Sequence, residues 1–117
     1  MTLVVYGIPN CDTVKKARAW LAGHGVPHQF HDFKKQGVPA DRLDAWIVQV
    51  GWDPLLNRKG TTWRKLDVAA QNTARDAAGA KALMLAHPSV IRRPVVEWGS
   101  KTTAGFDAAE WTLLASR

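Results

Sequence analysis

The single cysteine of this 117-residue chain, Cys11, lies in YGIPNCDTVKKARAWL, residues 6–21, where strand-forming residues give way to a helical pattern. The nucleophilic form of cysteine is the thiolate. An unperturbed thiol has a pKa of about 8.5, and a helix N-terminus or a neighbouring cation can bring it to ~3.5–7.5. Cys11 stands just before the first turn of the expected helix, where unpaired N–H groups and the positive end of the helix dipole converge. Thr13 carries a hydroxyl that can donate to a thiolate or a bound oxyanion, and Lys15 and Lys16 add positive potential one turn away. The competing reading is plain packing, because cysteines are among the most buried residues. Position alone leaves both open.

The elements that must position Cys11 follow from pattern. TLVVY, residues 2–6, is β-branched and aromatic and stops at Gly7-Ile8-Pro9-Asn10, which predicts a strand and a loop. From Asp12 or Thr13, Val14, Ala17 and Leu21 recur at helical spacing, and Gly23-His24-Gly25 with Pro27 ends that helix. HQFHDF, 28–33, reads as a second strand, so the chain opens with a βαβ unit. A helix near 40–50 carries Leu43, Trp46, Ile47 and Val50 on one stripe. Residues 51–67 read as short helical turns and an exposed loop, and ARDAAGAKALMLAHP, from Ala74, as a further helix stopped by Pro88. The chain then returns to strand at 94–98 and, weakly, at 101–105. Asp107 is the expected N-cap of a last helix, 108–115, with Trp111 and Leu114 inward. This order is the layout of an α/β chain of the thioredoxin-like kind, residues 1–117 as one domain, although small α+β domains of other kinds share its element counts. Its sheet is four-stranded and mixed with helices on it, and a mainly helical insertion spans about 38–90.

Composition narrows the function. At 46% hydrophobic and 22% charged, the chain is ordinary for a globular domain with one core. No apolar run approaches the roughly 20 residues of a membrane span, and MTLVVYG lacks the basic start and long apolar stretch of a signal peptide. One cysteine permits no internal disulfide, in keeping with an expected cytoplasmic location. The net charge of +6 comes from scattered pairs such as Lys34-Lys35, Arg64-Lys65 and Arg92-Arg93, not from a tail, so a disordered nucleic-acid arm is not expected. TTWRKL could stack Trp63 on a base, but a packed tryptophan and a solvated basic face account for it as well. His24, His28, His31 and Cys11 lack zinc-site spacing, so no metal is expected. No nucleophile elbow, P-loop or dinucleotide fingerprint is present.

Four stretches, YGIPNCDTVKKARAWL, LLNRKGTTWRKL, HPSVIRRPVVEWG and GFDAAEW, resemble the ArsC/Spx family of thioredoxin-fold proteins, in the family's order and across nearly the whole chain. The pairing of Cys-x-x-x-Lys-Lys-Ala-Arg-x-Trp-Leu with a late Arg-Arg-Pro is most similar to the YffB-like branch. The resemblance implies that Cys11 is the redox-active cysteine. It also implies that Arg93 is an anion-binding arginine and that Pro94 is a cis proline after it. Asn57-Arg58-Lys59 falls near the family's second anion-binding arginine, so either Arg58 or Lys59 could take that anion-binding role. The chain departs from the arsenate reductases in having Gly7 four residues before the cysteine, where they have histidine, and no cation at Gly105-Phe106, near their third arginine.

A cysteine without a partner in its own chain must be resolved by an outside thiol. Glutathione, whose two carboxylates suit a basic cleft, is the expected co-substrate, with no resident cofactor. The reading is therefore a glutathione-linked, arsenate reductase-like thiol reductase, expected as a monomer, acting on an oxidised or oxyanion substrate that the sequence does not name. The alternative is an Spx-like transcription-linked protein that binds RNA polymerase. The resemblance to Spx implies a Cys-x-x-Cys switch, and here position 14 is Val.

Overall fold

The computed structural model describes residues 3–116, so Thr2, the first residue of the expected opening strand, lies outside the described residues. The β-branched start forms β1 (Leu3–Gly7), which continues through a loop into α1 (Asp12–Gly23). α1 ends where expected, with His24 at the C-cap and Gly25 at φ +67°, a conformation that costs glycine little. β2 (His28–Asp32) then pairs parallel to β1, Leu3 opposite His28 and Gly7 opposite Asp32. β3 (Val95–Glu97) pairs antiparallel to the other side of β1, and β4 (Thr102–Ala104) pairs antiparallel to β3. The sheet order is β2-β1-β3-β4, with a parallel and an antiparallel part, as the thioredoxin-like reading requires.

The period-2 alternation of the strands separates two faces. Leu3 and Val5 of β1 meet Val96 of β3 and Trp98 just beyond it, and Ala17 and Leu21 of α1 pack on them. Trp111, on the last helix α8 (Ala108–Ala115), is fully buried in the same cluster, with Trp98, Phe106 and Trp20 edge-on at 4.8–5.7 Å between ring centroids. Such edge-to-face pairs add roughly 0.5–1.5 kcal/mol each beyond their area. Asp107 caps α8 by accepting the Glu110 N–H at 3.2 Å, and the Trp98 indole N–H donates to Thr103 at 2.9 Å.

The chain divides into two compact units. One runs to Gln36 and resumes at Arg93; the other is Gly37–Arg92. The second unit is helical: α3 (Ala40–Val50), α4 (Trp52–Leu55), α5 (Thr61–Lys65), α6 (Val68–Asn72), α7 (Ala77–Ala86) and a 3₁₀ turn, Pro88–Val90. Its interior holds Leu43, Trp46, Leu55, Leu56, Leu83, Met84, Val90 and Ile91. The Arg92 N–H donates to the Leu55 carbonyl at 2.7 Å and the Asn57 N–H to the Val90 carbonyl at 2.8 Å.

Three expectations change in detail. Phe33 does not end β2 but opens a one-turn helix, α2 (Phe33–Gln36), because the Asp32 carboxylate accepts the Lys34 N–H at 2.8 Å and turns the chain. The alanine-rich helix begins at Ala77 rather than Ala74, because Asp76 takes the N-cap and accepts the Gly79 N–H at 2.8 Å. α6, too short to show helical periodicity, forms behind Asp67, which accepts the Ala70 N–H at 2.7 Å.

Candidate active site

Cys11 is the N-cap of α1. Its backbone is extended, at φ −114° and ψ 126°, and its carbonyl accepts the Lys15 N–H at 2.9 Å. The sulfur makes no close capping hydrogen bond, yet the N–H groups of Val14 and Thr13 lie near enough to favour its charged form. These are orphan donors of the first turn, and a thiolate is the partner the helix end suits best.

Arg93 comes from the far end of the chain, entering β3 through a cis Arg93–Pro94 peptide bond. Pro94 is buried, and its carbonyl accepts the Gly105 N–H at 2.9 Å, which ties the start of β3 to the segment after β4. The half-buried Arg93 brings its guanidinium to the Cys11 sulfur. Opposing effects act on that sulfur. Partial burial pushes the thiol up. The Val14 N–H, the Arg93 hydrogen bond, the Arg93 charge and the Thr13 N–H together outweigh it and leave the pKa below its ordinary value.

The residues singled out by sequence sort into two groups. Cys11, Thr13, Lys15, Arg93 and Pro94 share the unit that holds the sheet, with Arg93 directly on the sulfur. Of the two donors expected of Thr13, its main-chain N–H acts on Cys11, and its side chain is exposed. Lys15 is exposed on the next turn. Arg58 and Lys59 belong to the helical unit. There the Arg58 guanidinium pairs with Asp53 and lies 5.4 Å from the centre of the Trp63 ring. Lys59 is exposed.

Gly7 has a steric reason that composition could not supply. A Cβ placed there would stand 2.9 Å from Val14 Cγ2, and Val14 is fully buried. The small residue before the loop and the valine three residues after Cys11 therefore occupy one space, which leaves no room for a larger side chain at position 7. Among the described residues, no three of His, Cys, Asp and Glu come together as a metal site would need, and no helix is long and apolar enough to cross a membrane. A concavity of about 450 Å³, bordered by Leu3, Val26, Trp98 and Leu114, lies at the opposite end of β1 from Cys11. The candidate site is therefore the Cys11 loop, where the Arg93 guanidinium and the first-turn N–H groups meet the sulfur.

Comparison with known proteins shows the family and the fold. The ArsC family matches residues 6–114. An uncharacterized protein of Haemophilus influenzae is 40% identical over 109 residues, spanning 93% of this chain and 95% of that one. The global transcriptional regulator Spx of Streptococcus pyogenes is 27% identical over 111 residues, spanning 93% of this chain and 81% of the regulator. Among solved structures, a YffB protein superposes with a TM-score of 0.91 at 48% identity, covering 97% of this chain and 98% of its own. An arsenate reductase-related protein from Brucella melitensis gives a TM-score of 0.76 at 49% identity, covering 97% and 93%.

Proposed function

The chain belongs to the ArsC family, and from that premise we propose that it is a thiol-dependent reductase with Cys11 as its only nucleophile and glutathione as the thiol that restores it. The observation that carries this reading is the convergence of Arg93 and the first-turn N–H groups on the Cys11 sulfur. With a disulfide substrate, the Cys11 thiolate attacks one sulfur. The substrate S–S bond breaks, a mixed disulfide forms at Cys11, and the other half leaves as a thiolate. Glutathione thiolate then attacks the mixed disulfide and frees Cys11, and a second glutathione completes the two-electron transfer as oxidised glutathione. With an oxyanion substrate, the planar Arg93 guanidinium can grip two oxygens at once while the sulfur attacks the central atom and one oxygen leaves as water after protonation. Glutathione thiolate then attacks the Cys11 sulfur, the bond to the central atom breaks and leaves that atom reduced by two electrons, and a second glutathione frees Cys11 as oxidised glutathione forms. Glutathione is the abundant reduced thiol of a reducing compartment such as the cytoplasm, where a lone thiolate stays available.

The test is incubation with oxidised glutathione followed by intact-mass and peptide analysis, then addition of reduced glutathione. One mixed disulfide at Cys11, reversed by the free thiol and missing in Cys11→Ser, is the expected outcome. A Cys11 that stays unmodified defeats the proposal. A transcription-linked role has the likeness to Spx in its favour. However, the buried Val14 stands where an Spx-like switch would need its second cysteine.

A further inference from the structure

α1 does more than aim its first turn at the sulfur. Lys15, Arg18 and Ala22 follow at intervals of three and four, so they share one face of the helix that Cys11 caps. Along that face runs an open groove of about 390 Å³, walled by Pro9, Val14, Lys15 and Arg18 and, from the start of β2, by His28. Two alanines of α1, Ala19 and Ala22, keep it wide. None of the described residues that line it is acidic.

Arg18 is held in place within it. Its Nε–H donates to His28 Nε2 at 3.2 Å, and its guanidinium carbon stands 4.3 Å from the centre of the Phe30 ring. Burial pushes the His28 imidazole below its ordinary value. A bond from the Val26 backbone acts against this and the Arg18 charge adds to it, which favours the neutral ring that can accept from Arg18. These two contacts use the Nε–H and one face of the guanidinium. The terminal amino groups remain, and among the described residues no carboxylate pairs with Arg18. A half-buried arginine whose plane is already fixed loses little entropy on gripping an anion.

We propose that this groove binds a terminal carboxylate of the peptidic disulfide whose sulfur is presented to Cys11, with Arg18 as the main contact and Lys15 as the second. The assignment rests on the reductase reading and adds to it a substrate class, small anionic peptide disulfides. The length fits: Arg18 lies seven residues beyond the Cys11 cap, roughly 10 Å along α1. That is about the reach of three residues of extended peptide. The step at sulfur is unchanged; the groove adds binding and orientation for the carboxylate end.

The experiment compares two disulfides on the same protein: oxidised glutathione, which carries carboxylates, and hydroxyethyl disulfide, which carries none. The readout is the ratio of their second-order rate constants for mixed-disulfide formation at Cys11. A charge-assisted contact of about 1.5 kcal/mol predicts that Arg18→Gln lowers this ratio roughly tenfold. Lys15→Gln, an exposed change that leaves the Phe30 and His28 contacts in place, lowers it about threefold through a weaker, screened contact. Added salt narrows the ratio in the wild type more than in Arg18→Gln. A ratio that stays within about twofold of wild type in both variants overturns the groove assignment while leaving the reductase reading intact. A wild-type Cys11 that reacts with neither disulfide overturns the reductase reading and this inference with it.

Discussion

Replacing Arg93 with leucine removes a hydrogen bond and a charge from the Cys11 sulfur together. A hydrogen bond to a charged partner is worth about 1.5–3 kcal/mol. Cys11 and Arg93 are both only half-buried, so solvent screening reduces the expected loss to about 1 kcal/mol, or roughly a fivefold smaller thiolate population below the pKa. The remaining thiolate is more basic and so more reactive. A Brønsted coefficient of ~0.4–0.5 returns about twofold of the rate. Against an uncharged disulfide such as dithiodipyridine, Arg93→Leu is therefore expected to react about two- to threefold more slowly than wild type near pH 6. At a pH above both ionisations, where both proteins are thiolate, it should react about twofold faster. Arg93→Lys should fall between the two, since it keeps the charge without the planar fork. Stopped-flow absorbance of the released thione measures both limbs. The crossing of the two profiles separates an electrostatic role from mere shielding of the sulfur, which would move both limbs the same way. Profiles that coincide, or that differ by a constant factor, refute the role given to Arg93.

Two further predictions follow from geometry away from the sulfur and from linkage. Gly79→Ala should destabilise the protein by about 3 kcal/mol and lower the melting temperature by roughly 10 °C or more. Helix propensity alone would favour alanine there by about 1 kcal/mol, but its Cβ would stand 1.7 Å from the Thr73 carbonyl oxygen; a melting temperature equal to or above wild type would show that the backbone can yield. Cys11→Ala should alter how stability depends on pH. The folded pKa of Cys11 is depressed, so the stabilisation it gives is fully present above the unfolded value near ~8.5 and is lost as pH falls through the folded value. Urea melts should thus show wild type gaining on Cys11→Ala as pH rises between those two values, and a gap that is constant or shrinks over that range contradicts the depressed pKa.

Much of the sheet unit was legible because its signals are local. Gly23-His24-Gly25 stops α1, Asp107 starts α8, and runs of β-branched residues mark β1 and β3. The starts of α6 and α7 were less legible because aspartate capping, rather than apolar periodicity, sets them. Cys11 could be singled out from its place between strand and helix, and the two groups that matter most to it illustrate two kinds of limit. Arg93 is 82 positions away, and only the pairing of β3 with β1 explains its approach; the family resemblance, not spacing, pointed to it. Thr13 was legible as a donor because a helix start offers unpaired N–H groups, though sequence alone could not choose between its N–H and its hydroxyl, and here the N–H serves. The Arg18–His28 pair was out of reach for a similar reason: it depends on the parallel register that sets the first residue of β2 beside α1. Arg58 shows the reverse limit, because a basic residue in a suggestive motif already has Asp53 as its partner.

The central claim is that Cys11 is a nucleophile whose thiolate is stabilised by Arg93 and the start of α1. Its most direct test is the rate of iodoacetamide alkylation of Cys11 in the reduced wild-type protein as a function of pH, quantified by mass spectrometry of the peptide that contains it. The account predicts a single ionisation with a midpoint clearly below the ~8.5 of an unperturbed thiol. A midpoint at or above that value would make Cys11 a packing residue and contradict the account.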